Sequence, residues 1–136
     1  MKNCELTELQ KSALLGISLG NGDLAHLSNK VGVANYMRIA DEIKNNLKTG
    51  KILDWGCGYG HMTYLLRNRD IDVTGYEIKK RKNMEKLMLF SKLDIIYDDN
   101  VSCLPFENGY FDAVLSCGTL EHVTDTDKSL KEINRI

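Results

Sequence analysis

The sequence has four cysteines but no pair at CxxC spacing and no arrangement that indicates a disulfide framework. It therefore predicts no zinc or other metal site and no disulfide scaffold, and a reducing cytoplasm is the natural setting for these thiols. Apolar runs long enough to cross a bilayer are missing, and the first residues lack the apolar core of a secretory signal. We expect a cytoplasmic protein with no membrane partner.

The chain also lacks an excess of either charge. Its 18 Lys and Arg residues against 19 Asp and Glu residues leave a net charge of -1, which gives no general attraction to nucleic acid. The one basic run, Lys79 to Lys82, is either a contact for nucleic acid or an acidic substrate or, more simply, the solvated start of a helix. Nucleic acid is therefore not an expected partner. A length of 136 residues allows one domain or less.

What the sequence does contain is an alternation of strand and helix patterns after two amphipathic helices. The helices are predicted over residues 5–17 and 31–47. Strands are predicted at 51–55, 71–77, 93–99 and 111–118, with helices at 61–69, 82–91 and 124–136, the last capped by Thr124 or Asp125. Repeated β-α-β units predict an α/β fold with a parallel sheet and helices on both faces. Ligands of such sheets bind beyond the carboxyl ends of the strands, where the strand order reverses.

The stretch "KILDWGCGYGHMT" places Gly56, Gly58 and Gly60 directly after the first predicted strand. Glycine has no Cβ and permits close contact between backbone and ligand, and three glycines in five residues make a simple ligand-free turn a poor explanation. A pyrophosphate site needs G-x-G-x-x-G, whereas the spacing here is G-x-G-x-G, and the Asp54 carboxylate would repel a phosphate. An anion suits the ammonium and sulfonium of S-adenosylmethionine, so the loop favours that cofactor over NAD.

Two further strand ends carry polar side chains. Glu77 ends the second strand, 23 residues after Asp54, where a carboxylate can accept hydrogen bonds from both ribose hydroxyls. NAD sites use the same arrangement, and a solvent-facing acid is the alternative. After the third strand, Asp98, Asp99 and Asn100 are each candidates for contact with an adenine amino group, and a polar turn explains any one of them equally well.

These motifs together resemble one family. The segments "ILDWGCGYGHMT", "VTGYEIKK", "LPFENGYFDAVLSCGTLEHV" and "SLKEINRI" are similar to those of class I S-adenosylmethionine-dependent methyltransferases. The likeness is closest to the small-molecule group that includes quinone-biosynthesis C-methyltransferases, and it covers about residues 33–136. The resemblance implies a Rossmann-like sheet, with residues 33–136 as the cofactor-binding core and residues 1–32 as an N-terminal helical cap segment within one domain.

The resemblance also implies a set of cofactor contacts. The first motif would lie near the methionine part of the cofactor, Glu77 on the ribose, and the end of the fourth strand beside the methyl group. The family's adenine-contacting acid corresponds to Asn100, although Asp99 just before it is the favoured residue. The predicted cofactor-binding residues are Asp54, Gly56, Cys57, Gly58, Gly60, Glu77, Ile78, Asp99, Asn100, Val101, Ser116 and Cys117.

The family pattern continues beyond "EINRI" with a turn and three further strands. The resemblance therefore predicts a sheet truncated after its fourth strand, with residues 111–117 as an exposed edge. Such an edge invites pairing with a second copy of the chain. Under this interpretation the alternative to an active enzyme is a non-catalytic module that binds the cofactor or is completed by a partner.

The expected reaction is the transfer of a methyl group to a small-molecule acceptor at an O, N or C atom. His122, just beyond the fourth strand, is a weak candidate for a general base, and the recurrence of "EH" in relatives with different substrates favours a structural role. Proximity and orientation can supply much of the rate in such enzymes, so no catalytic residue is required by the chemistry.

Overall fold

The computed structural model describes residues 2–47 and 49–136. The chain begins with α1 (Lys2–Ser18), a 3-10 helix (Gly22–Leu27) and α2 (Lys30–Asn46). The side chain of Asn29 accepts a hydrogen bond from the Gly32 N–H and so caps the start of α2. Both predicted N-terminal helices are confirmed.

A four-stranded parallel sheet follows, with strand order β3-β2-β1-β4. Its strands are β1 (Lys51–Trp55), β2 (Asp72–Glu77), β3 (Ile95–Tyr97) and β4 (Ala113–Leu115), while α3 (His61–Arg67) joins β1 to β2 and α5 (Thr126–Arg135) follows β4. The α5 N-cap is Asp125, one of the two predicted residues. Since β1 has β2 on one side and β4 on the other, the strand order reverses at its carboxyl end. The predicted Rossmann-like α/β fold is confirmed.

The prediction of one continuous helix over residues 82–91 is wrong. The segment is divided into a 3-10 helix (Met84–Lys86) and the short α4 (Met88–Ser91). Asn83 lies in the left-handed region with φ 58°, and Leu87 has a non-helical ψ of 83°. The buried side chains Met84, Leu87 and Phe90 recur every third residue, a spacing that aligns on one side of a 3-10 helix and drifts around an α-helix.

Side chains of β1 alternate between two apolar clusters on opposite faces of the sheet. Ile52 packs with the N-terminal helices and α3, whereas Leu53 and Trp55 pack with Tyr76 and the segment near α5. Asp54 therefore points to the same face as Ile52, under the N-terminal helices. Within the described residues, every helix is too short or too polar to cross a membrane.

Candidate functional site

The glycine loop after β1 has left-handed backbone at all three glycines, with φ 69° at Gly56, 59° at Gly58 and 84° at Gly60. A Cβ at Gly56 would overlap the Thr119 hydroxyl, and one at Gly60 would lie 2.7 Å from a Leu93 methyl carbon. A Cβ at Gly58 would meet no protein atom within 4 Å. Gly56 and Gly60 are thus required by packing, whereas Gly58 borders open space.

Backbone hydrogen bonds hold this loop against the neighbouring strands. The N–H groups of Gly56 and Cys57 both donate to the Tyr76 carbonyl of β2, at 2.9 and 3.0 Å. On the other side, the Thr119 hydroxyl donates to the Trp55 carbonyl at 2.9 Å. Hydrogen bonds to β2 and to the segment after β4 therefore hold the loop in place.

Asp54 is a buried carboxyl directly beneath the loop. It is 1% exposed and accepts a hydrogen bond of 2.6 Å from the Thr63 hydroxyl of α3. Burial, opposed by the Thr63 hydrogen bonds and assisted by the Glu77 carboxylate, raises the pKa of Asp54 to about 6. A carboxylate in such a place gains from a nearby cation, because its charged form is poorly solvated.

Glu77 lies at the carboxyl end of β2 and faces the same loop. Its Oε2 accepts hydrogen bonds from the Gly58 N–H at 3.0 Å and from the Arg81 guanidinium at 3.2 Å, and its Oε1 accepts one from the Ile78 N–H at 2.8 Å. The side chain of Glu77 is 7% exposed and that of Arg81 38%. Glu77 is therefore already surrounded by donors on one side.

Arg81 is the residue that sequence reasoning missed. The run Lys79 to Lys82 was predicted to be a solvated cluster, and Lys79, Lys80 and Lys82 are indeed exposed. Arg81 instead turns back toward β2 and pairs with Glu77. The pair crosses a non-helical turn after β2, so the helical rule for residues four apart does not apply and no sequence signal indicates it.

The segment after β3 separates the three polar candidates. Asp98 is used in a turn, since its carboxylate accepts from the Asn100 N–H at 2.8 Å and its carbonyl accepts from the Tyr76 hydroxyl at 2.7 Å. Asp99 and Asn100 are exposed, as are the apolar side chains of Ile78 and Val101. Asp98 thus contributes to the turn, and the choice between Asp99 and Asn100 stays open.

The end of β4 lies on the opposite side of the loop from Glu77. Ser116 and Cys117 are half-buried there, and burial together with the Asp54 carboxylate raises the pKa of the Cys117 thiol. Cys57, inside the loop, is buried. His122 ends a 3-10 helix (Leu120–His122) and is exposed.

The fold defines a Rossmann-like protein. At the carboxyl ends of its strands it carries a glycine loop and two buried acidic side chains, Asp54 of β1 and Glu77 of β2. Within that class, the chain belongs to the methyltransferase-domain family, whose pattern matches residues 53–136. The family and its solved members imply S-adenosylmethionine as the cofactor.

Three similar proteins illustrate the relationship. An uncharacterised protein of Methanocaldococcus jannaschii is 31% identical over 129 residues, which are 90% of this chain and 47% of that protein. The sarcosine/dimethylglycine N-methyltransferase of Aphanothece halophytica is 28% identical over 110 residues, 76% of this chain and 40% of the enzyme. A crystal structure of a candidate S-adenosyl-L-methionine-dependent methyltransferase from Methanococcus maripaludis superposes with a TM-score of 0.62 at 26% identity, covering 74% of this chain and 50% of that one. The chain spans about half the length of these relatives or less.

Proposed function

We propose that this chain binds S-adenosylmethionine across the carboxyl ends of β1, β2 and β3 and supports methyl transfer to a small-molecule acceptor. The observation that carries the proposal is the open space at Gly58. The Gly58 N–H donates to the buried Glu77 carboxylate, and a second buried carboxyl, Asp54, lies just before the same loop. A positively charged ligand without phosphate fits this combination, because Asp54 would repel a pyrophosphate.

Each residue at the carboxyl ends of the strands would contact a different part of the cofactor. Asp54 is suited to the ammonium end, since a cation compensates its burial. Glu77 is suited to the ribose hydroxyls, and either Asp99 or Asn100, with the backbone at Val101, to the adenine. The exposed Ile78 offers apolar contact to the adenine ring, while Ser116 and Cys117 would line the methyl side.

The main contribution of the protein to the reaction would be to position the methyl donor and the acceptor. When bound, the cofactor supplies an electrophilic methyl group on a sulfonium. The loop, held by Tyr76 and Thr119, fixes where that group lies, and the apolar side chains around β4 limit the access of water. Holding donor and acceptor in line accounts for much of the acceleration that such a site can provide.

A small acceptor is supported by the relative from Aphanothece halophytica, which by its name acts on sarcosine and dimethylglycine. The basic run offers little for nucleic acid, since Arg81 is paired with Glu77. The exposed edge of β4 leaves pairing with a second copy of the chain as a further prediction.

Calorimetric titration with S-adenosylhomocysteine tests the proposal, with NAD as the control ligand and circular dichroism to show that the chain is folded. We expect S-adenosylhomocysteine to bind and NAD to give no heat. A folded chain that binds neither, or that prefers NAD, would contradict the proposal. Binding of S-adenosylhomocysteine without methyl transfer to any acceptor would identify a non-catalytic binding module.

Arg81 is expected to weaken the binding of the cofactor. A carboxylate has about four acceptor positions, and three donors already contact Glu77, so two ribose hydroxyls must displace one of them. Arg81 is the one donor of the three that is a side chain, so a substitution can remove it, and a pair of this kind is worth about 0.2–1 kcal/mol. We expect Arg81→Ala to bind S-adenosylhomocysteine about two- to fivefold more tightly. Lys80→Ala, which removes the same charge from an exposed neighbour, is the control, and an unchanged or weakened affinity in Arg81→Ala would show that Arg81 does not compete.

A further inference from the structure

Three rings from three separate elements meet beside the glycine loop. His26 comes from the first 3-10 helix, Tyr36 from α2, and His61 is the first residue of α3. The Tyr36 and His61 rings pack edge to face with 4.5 Å between centroids, and His26 lies 5.3 Å from His61 and 5.5 Å from Tyr36. We call these three residues the ring cluster.

The ring cluster adjoins both the glycine loop and the end of β4. His61 follows Gly60 directly, and Tyr36 and Cys117 both pack against the core under the N-terminal helices. Burial and the Cys117 thiol raise the pKa of Tyr36, while Asp54 acts on Cys117 in the same way. Cys117 is thus close enough to be affected by Asp54 and to affect Tyr36. It therefore lies between the proposed site of the cofactor's ammonium group and the ring cluster.

Two of the three rings, Tyr36 and His61, are neutral. Burial, together with the nearby His26, lowers the pKa of His61 to about 3, so its imidazole carries no charge at neutral pH. The Nδ1 atom of His61 is buried and has no hydrogen-bond partner among the described residues. His26 Nδ1 donates to the Asp23 carbonyl at 2.8 Å, and the Asp23 carboxylate accepts from the Tyr59 hydroxyl at 3.1 Å.

Neutral aromatic faces attract cations, and a ring binds an ammonium group within about 6 Å of its centroid. We propose that the ring cluster is the acceptor subsite and that it selects a small amine whose nitrogen becomes methylated. This inference rests on the proposed function and specifies its acceptor. It is independent of the contacts assigned to the ribose and adenine.

The charge balance of such a reaction suits these residues. An alkylamine that binds as an ammonium first releases one proton to water, which frees the nitrogen lone pair. That lone pair forms the new N–C bond as the C–S bond breaks, and the sulfur keeps the electron pair as a thioether. The positive charge of the sulfonium thus passes to the nitrogen beside the rings. A tertiary amine has no further proton to lose, and a secondary amine releases a second proton to water, so the weakly basic His61 is not needed as a base.

A pair of probes that differ in charge alone tests the proposal. Choline and its neutral carbon analogue 3,3-dimethylbutan-1-ol have nearly the same shape, and each is titrated into the chain saturated with S-adenosylhomocysteine. We expect choline to bind about tenfold more tightly, as a cation–π site predicts. Its N-methyl proton resonances should move upfield on binding, because they lie over aromatic faces.

Variants separate the rings from other effects. Tyr36→Leu should abolish the preference for choline, and Tyr36→Phe, which keeps the ring, should retain it. Tyr110→Leu removes an exposed ring that stacks on Phe106 and covers Lys51, and serves as the matched control. If Tyr36→Leu does not fold, His26→Ala replaces it, since the His26 ring is exposed.

The outcomes distinguish this inference from the function on which it rests. Failure of the proposed function appears in the S-adenosylhomocysteine titration of the unmodified chain. A chain that binds S-adenosylhomocysteine but binds both probes equally, or neither, overturns the amine subsite alone. A preference for choline that remains in both Tyr36→Leu and His26→Ala also overturns the amine subsite.

Discussion

Gly58→Ala is expected to leave the chain folded and to lower its affinity for S-adenosylhomocysteine by about 5- to 150-fold. The new methyl group would contact no protein atom within 4 Å, so its stability cost is limited to left-handed backbone, about 1–2 kcal/mol. The same methyl group would occupy the space proposed for the cofactor, where overpacking costs about 1–3 kcal/mol. Calorimetry measures the affinity, and urea unfolding measures the stability.

Gly109→Ala is the matched control for this substitution. Gly109 has φ 64°, close to the 59° of Gly58, and its Cβ would also meet nothing within 4 Å. Its N–H donates to the Arg135 carbonyl, far along the chain from the loop. If Gly58→Ala loses no more affinity than Gly109→Ala, the open space at Gly58 is not the cofactor site.

Asp54→Asn is expected to stabilise the chain at neutral pH while weakening the binding of the cofactor. Folding raises the pKa of Asp54 from 3.8 to about 6, so the folded state holds a proton more tightly than the unfolded state does. The free energy of unfolding of the natural chain therefore falls as pH rises from about 4 to about 6, by about 3 kcal/mol in the limit of this shift. The asparagine variant avoids this loss.

The gain from Asp54→Asn should be smaller than that limit. The asparagine carbonyl can still accept from the Thr63 hydroxyl, but its amide group needs a new partner, which costs about 1 kcal/mol or more. We expect a net gain of about 1–2 kcal/mol at pH 7.5 and none at pH 4. Loss of the negative charge should weaken S-adenosylhomocysteine binding by about tenfold.

Urea unfolding at pH 4 and pH 7.5 measures this difference. Asp112→Asn is the control, because Asp112 is an exposed carboxylate that accepts a hydrogen bond from the Lys51 N–H and should give no gain at either pH. An Asp54→Asn chain no more stable than the natural one at pH 7.5 would contradict the argument. So would an equal gain at both pH values, since it could not come from ionisation.

The sequence predicts the parts of the molecule that depend on local pattern. The strand at residues 51–55 and the glycine loop follow from a buried apolar run and from the backbone freedom of glycine. The fourth strand is shorter than predicted, at Ala113–Leu115 instead of residues 111–118, because it pairs with β1 alone and that register ends at Asp54 and Leu115.

Features that depend on packing could not be predicted in this way. The ring cluster joins residues 26, 36 and 61, and their meeting depends on how the N-terminal helices cover the sheet. The pairing of Arg81 with Glu77 crosses a non-helical turn, and nothing in a run of four basic residues shows which one turns inward.

Two of the hydrogen bonds that hold the glycine loop differ greatly in the length of chain between donor and acceptor. The Gly58 N–H reaches Glu77 over 19 residues, whereas the Thr119 hydroxyl reaches Trp55 over 64 residues. Short loops cost less entropy to close and form earlier than long ones. We therefore expect the ribose side of the site to assemble while the chain is still being synthesised, and the side that would receive the acceptor to be completed only when the segment after β4 has left the ribosome.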